Sequence, residues 1–118
     1  MGPKRPRVLI VHPDAAFRMR RARHLSLSGA CVDTAPNAAG ALRLLRSQGY
    51  DLVVTDALLP DANGLQVWEE GRRLSEARFI LTVDTPPTED LRATVRAHGV
   101  ELVDLGAADP DETLARAL

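Results

Sequence analysis

Leu52-Val53-Val54-Thr55-Asp56, the turn Pro60-Asp61-Ala62-Asn63-Gly64, and a helical stretch over residues 65–74 form one strand–turn–helix unit, and this unit decides the fold. Its first four residues are all apolar or β-branched, the pattern of a strand buried on both faces. The proline, asparagine and glycine that follow are turn formers. Working outward, the alternation recurs. Arg7-Val8-Leu9-Ile10-Val11 is a second such strand, and Asp14 reads as the N-cap of a helix over residues 15–28 that stops at Gly29. Cys31–Ala35 reads as a short strand. Asn37 then caps a helix over residues 38–48, where Ala41, Leu42, Leu44 and Leu45 make an apolar stripe before Gly49. Toward the C-terminus, Arg78–Val83 is a strand, and Thr85-Pro86-Pro87 opens a helix that runs to His98 and closes at Gly99. Residues 102–105 form the fifth strand, and Asp109-Pro110 starts a last helix that ends at Leu118. Five strand–helix units with short connections imply an α/β architecture: an open, five-stranded parallel sheet, doubly wound with helices on both faces.

Composition sets the outer bounds. The chain has 118 residues, a formal net charge of −1 and 45% hydrophobic residues, which describes one soluble domain over residues 7–118 behind a basic, proline-containing tail at residues 1–6. Cys31 is the sole cysteine and no Cys/His cluster stands at metal-ligand spacing, so a disulfide framework and structural zinc are excluded. No run reaches the roughly 18 apolar residues of a membrane span, and no secretory h-region is present. A cytoplasmic protein without membrane contact is expected. Balanced charge and few aromatics argue against direct nucleic-acid binding. Lys4 is the only lysine, so chemistry needing an ammonium group in the folded body is ruled out.

Ligands of open parallel sheets bind beyond the carboxyl ends of the strands. The residues there are His12, Pro13 and Asp14 after the first strand, Asp56 at the end of the third, Thr82 with Asp84 at the fourth, and Gly106 after the fifth. They include one central carboxylate and one hydroxyl.

At these positions the chain resembles the receiver domain of two-component response regulators. The likeness runs through Val8-Leu9-Ile10-Val11, Tyr50-Asp51-Leu52-Val53-Val54-Thr55-Asp56, Leu58-Leu59-Pro60-Asp61-Ala62-Asn63-Gly64, Leu81-Thr82 and His98-Gly99-Val100. It implies the flavodoxin-like, CheY-like (βα)5 fold, with Asp56 at the phospho-acceptor position and Thr82 as the switch hydroxyl. It also implies a magnesium site made by two acidic residues after the first strand, the acceptor and a carbonyl corresponding to Leu58. Here His12 and Pro13 replace the acidic pair, which leaves a degenerate acidic pocket of His12, Pro13, Asp14 and Asp84. Magnesium demands hard oxygen donors in near-octahedral array, and a histidine is the wrong ligand. The family's lysine after the fifth strand is also missing, with Leu105-Gly106-Ala107 in that region, and Leu102 or Val103 stands where the family has an aromatic. Phosphoryl transfer relies on cations placed against the transferring oxygens, so both losses bear on it.

The reading is therefore a degenerate receiver, or pseudo-receiver: a non-enzymatic signalling module without metal or cofactor. It would work through protein partners, namely a histidine kinase, an effector domain or a second copy of itself. The alternative is a phospho-accepting receiver in which Asp14 or Asp84 recruits Mg2+ to Asp56. A flavodoxin-like ligand binder or hydrolase is disfavoured, because no Gly-rich phosphate loop follows the first strand. His12 reads either as a satisfied structural histidine or as an imidazolium paired with Asp56. Asp14 reads first as an N-cap and Asp84 as an exposed loop carboxylate. The run Arg18, Arg20, Arg21 and Arg23 reads as a solvated face or a cationic surface for an acidic partner. The region from the fourth helix to the last one, with Arg92, Arg96, Glu112 and Arg116, is the expected contact face by resemblance.

Overall fold

The computed structural model describes residues 5–105 and 109–118. Gly106 and Ala107, at the position of the family's lysine, and most of the N-terminal tail including Lys4 lie outside the described residues. The elements run β1 (Arg7–Val11), α1 (Ala15–Leu27), β2 (Cys31–Ala35), α2 (Ala38–Ser47), β3 (Leu52–Asp56), α3 (Gly64–Leu74), β4 (Arg78–Val83), α4 (Glu89–His98), β5 (Glu101–Asp104) and α5 (Pro110–Arg116). All strand pairs are parallel, in the order β2-β1-β3-β4-β5. The chain thus reverses its direction of travel across the sheet between β1 and β3, the switch point at whose strand ends such sheets place their ligands.

The apolar runs are buried as their composition demands. Val8, Leu9, Ile10 and Val53 have no exposed surface. Leu9, Val11, Val53 and Phe79 pack on one face with Ala41 and Leu45 of α2 and Val67 of α3. Val8, Ile10, Leu52, Val54 and Ile80 pack on the other with Leu25 of α1 and Leu114 of α5. Leu81, Val95 and Val100 continue the core beneath α4. Gly29 and Gly99, both at positive φ, end α1 and α4 where a Cβ would be strained.

Several boundaries shift by one or two residues from those read in the sequence, and two of the shifts have identifiable reasons. Residues 85–87 stay outside α4, because a residue preceding proline is driven out of the α region. The helix begins at Glu89 instead, with the Thr88 hydroxyl accepting from the Leu91 N–H at 3.1 Å. β5 starts one residue early, at Glu101, whose carboxylate accepts two hydrogen bonds of 2.7 Å from the Arg78 guanidinium across the β4–β5 edge.

The arginine run on α1 is not uniformly solvated, which corrects the sequence reading. Arg21 is buried, donates to Asp111 of α5 at 2.5 Å and lies over the Phe17 ring at 4.8 Å. It is the internal fastener between α1 and α5. Truncating one partner of a buried pair strands the other charge, whereas replacing the cation by an apolar side chain removes the desolvation cost as well. Asp111→Ala is expected to lower unfolding free energy by about 1 kcal/mol, since Asp111 is partly exposed and water can reach the gap. Arg21→Met should stay close to neutral. Urea denaturation of the two variants measures the asymmetry.

Candidate functional site

The site forms where three strands end together. The β1 ladder extends past Val11 through the His12 N–H to the Ala35 carbonyl at 3.1 Å, and Pro13 then stops it. Arg18 of α1 reaches back to donate to the His12 carbonyl at 2.7 Å and the Pro13 carbonyl at 3.1 Å, pinning the connection. Asp56 closes β3 in register with Thr82 of β4, so the two side chains project side by side.

Asp56 is 5% exposed. Its Oδ1 accepts from the Ala57 N–H at 3.0 Å and the Thr82 hydroxyl at 3.4 Å, while Oδ2 faces His12. Burial pushes the Asp56 carboxyl up from 3.8 to about 6, the charge of Asp84 adds to this, and the Ala57 and Thr82 hydrogen bonds oppose it.

His12 is equally buried, and its ring stacks on Phe17 with centroids 4.0 Å apart. Nδ1 accepts from the Asp14 N–H at 3.1 Å, which places the ring proton of the neutral form on Nε2. Nε2 stands 3.7 Å from Asp56 Oδ2 and 3.8 Å from Asp84 Oδ2, and has no hydrogen-bond partner. These distances exceed hydrogen-bond range. Burial holds the imidazole below its usual 6.5 against the pull of Asp84 and Asp14, with Arg18 and Arg21 reinforcing the depression. Of the two readings of His12, the imidazolium–Asp56 pair is the one the site does not support: burial lowers His12 and raises Asp56, the reverse of what an ion pair does to its members, and the structural histidine keeps Nε2 unsatisfied.

His12, Asp56, Thr82 and Asp84 come together as the strand ends require, but Pro13 and Asp14 do not join them. Pro13 is exposed. Asp14 accepts from the Ala16 and Phe17 N–H groups, as an N-cap should. Asp84 keeps its exposed loop position, with a side chain 61% accessible, and still brings one oxygen to the pocket. Sequence reasoning missed Phe17, which fixes the plane of the His12 ring, and Arg18, which fixes its backbone. Neither lies on a periodic stripe, so no linear signal marks them.

The donor set does not fit magnesium. A buried imidazole stands where the resemblance calls for a carboxylate, and Asp14 is engaged at the α1 terminus.

Residues 8–105 match the family described as "Response regulator receiver domain". Among curated proteins, the chain is 36% identical over 76 residues to the transcriptional regulatory protein AfsQ1 of Streptomyces coelicolor, covering 64% of this chain and 34% of AfsQ1. The chain spans about a third of the length of such relatives. In three dimensions it is similar to a CheY-like receiver domain protein from Methanospirillum hungatei, with a TM-score of 0.86, 21% identity and coverage of 97% of this chain and 91% of that one. A response regulator from Burkholderia pseudomallei, solved with a phosphorylated aspartic acid and a calcium ion, gives a TM-score of 0.83 at 20% identity, over 93% of this chain and 65% of that one. No helix among the described residues is long and apolar enough to cross a membrane.

Proposed function

Since the chain belongs to the response regulator receiver family of two-component signalling, we propose that it works as a pseudo-receiver, signalling through protein contacts without phosphorylation. The observation that carries this reading is His12. Its buried ring, clamped between Phe17 and the Asp14 N–H, takes the space on the open side of Asp56 where a transferring phosphoryl group needs a hard cation. The absence of any lysine after residue 4 removes the other charge that would meet the phosphate. Without those contacts a switch has little to drive it, because moving an equilibrium from mostly off to mostly on takes about 5 kcal/mol of differential binding.

The partners proposed are a histidine kinase, an effector domain or a second copy, met at the α4–β5–α5 face. Arg92 and Arg96 stand exposed there, while Glu112 and Arg116 pair with each other one turn apart. Exposed pairs of that kind add little to stability, so the face can exchange them for intermolecular contacts.

A second reading, phosphoryl acceptance at Asp56 through a rearranged metal site, draws on Asp84, whose carboxylate reaches the pocket. Incubation with acetyl phosphate, or with beryllofluoride, in millimolar magnesium separates the two. Intact mass and amide NMR spectra should remain those of the untreated protein. A stable adduct that disappears in Asp56→Asn establishes the second reading instead.

A further inference from the structure

We propose that His12 Nε2, Asp56 Oδ2 and Asp84 Oδ2 form a binding site for a zinc-class transition-metal ion, in place of the magnesium for which the pocket is unsuited. The three donor atoms lie within 4.8 Å of one another. A tetrahedral ion with bonds of about 2.0–2.1 Å holds its ligand atoms about 3.4 Å apart. The two histidine–carboxylate separations, 3.7 and 3.8 Å, need a contraction of a few tenths of an ångström, and the two carboxylate oxygens, which lie within 4.8 Å of each other, must also draw together. Asp84 supplies most of the movement, because it sits on the open loop after β4 while His12 and Asp56 are held by the sheet.

Three features point to an ion beyond the clustering of acidic groups. Nε2 of His12 is buried, stands 3.7 and 3.8 Å from the two carboxylates and has no hydrogen-bond partner, so no protein acceptor holds its proton against exchange for a ligand bond. Asp56 is already oriented as a one-oxygen ligand, with Oδ1 committed to Ala57 and Thr82 and Oδ2 turned to the pocket. One imidazole nitrogen with two carboxylates is a borderline donor set, which suits zinc, cobalt or nickel better than magnesium or calcium. Three protein ligands leave a fourth tetrahedral position for water.

Coordination requires a tautomer change. The metal takes the Nε2 lone pair and the ring proton passes to Nδ1, which then meets the Asp14 N–H donor to donor at 3.1 Å. The ring must therefore turn aside and both N–H groups take water as partner, a cost the ligand bonds have to offset. That exchange is a signature which adventitious surface binding does not produce.

The inference goes beyond the pseudo-receiver reading and is tested apart from it. The chain carrying Cys31→Ser, stripped of metal, is titrated with zinc and cobalt by calorimetry and visible absorption, with nitrogen-15 NMR of the histidine rings in parallel. One ion per chain, a tetrahedral cobalt spectrum and a move of the His12 proton from Nε2 to Nδ1 are expected. Asp84→Asn lies on the surface and relieves the charge that disfavours ionised Asp56, so it should not lower the melting temperature of the metal-free chain while weakening zinc binding by at least about tenfold. His12→Gln should do the same where it folds. Absence of a one-to-one ion, binding unaffected by Asp84→Asn, or magnesium binding as tight as zinc overturns the assignment. Failure to bind zinc leaves the beryllofluoride result, and the reading that depends on it, untouched.

Discussion

Gly64→Ala is expected to lower the unfolding free energy by about 3 kcal/mol and the melting temperature by about 10 °C. Gly64 opens α3 and donates its N–H to the Ala57 carbonyl at 2.9 Å, which draws the helix start against the end of β3. A Cβ there would overlap the Asp56 carbonyl oxygen and the Leu81 Cδ1, and would stand 3.1 Å from the Asp56 carbonyl carbon. Two of those three atoms belong to the backbone of a central strand and cannot rotate away. The contrast is Gly71, whose added Cβ would meet the ring of Phe79 and Leu45 Cδ1, side-chain atoms with some freedom to shift. Gly71→Ala should therefore cost less. Calorimetry on both variants decides the order, and a Gly64→Ala melting curve that overlays the parent would show that the β3–α3 connection yields.

Asp56→Asn should act in the opposite sense and stabilise the metal-free fold by about 2 kcal/mol at pH 7. The native carboxyl titrates near 6 because burial and Asp84 disfavour its charge, against 3.8 in the unfolded chain. Between those values the folded state holds the proton more firmly, so Asp56 subtracts stability progressively as pH rises from about 4, and the full cost is present above about 6. The gain from asparagine should thus be complete at neutral pH, shrink as pH falls through 6 and vanish below about 4. His12 runs the other way: its depressed value means that stability is lost as acid protonates the unfolded chain first. His12 Nε2 lies 3.7 Å from Asp56 Oδ2, so the difference between the urea-denaturation curves of parent and variant reports Asp56 together with its coupling to His12. A gain that does not vary with pH would refute the burial account.

The strand–helix alternation was legible because buried strands announce themselves as unbroken apolar runs and helices by their caps. Asp14, Asn37 and Gly99 mark ends that the structure keeps. The place of the site was legible for a topological reason, since parallel strands deliver their carboxyl ends to one edge. His12, Asp56 and Thr82 were found by that rule alone. Arg21 was misread because α1 has no clean apolar stripe, and only the arrival of α5 with Asp111 turns a basic helix position into a buried one. Asp84 was read first as an exposed loop carboxylate and second as a pocket residue; its accessible surface fits the first reading and its Oδ2 atom the second.

Taken alone, the order of residues determined the parallel sheet, its family and the loss of the acidic pair and the lysine, since these depend on local pattern and on which side chains exist. Only the tertiary structure decided the charge state and direction of the groups that remain. Whether His12 is cationic, which oxygen of Asp56 stays open and whether Asp84 approaches are set by burial, by the Phe17 stack and by the packing that brings distant strand ends within a few ångströms. Desolvation and donor geometry are properties of that enclosed space and have no counterpart in the linear chain.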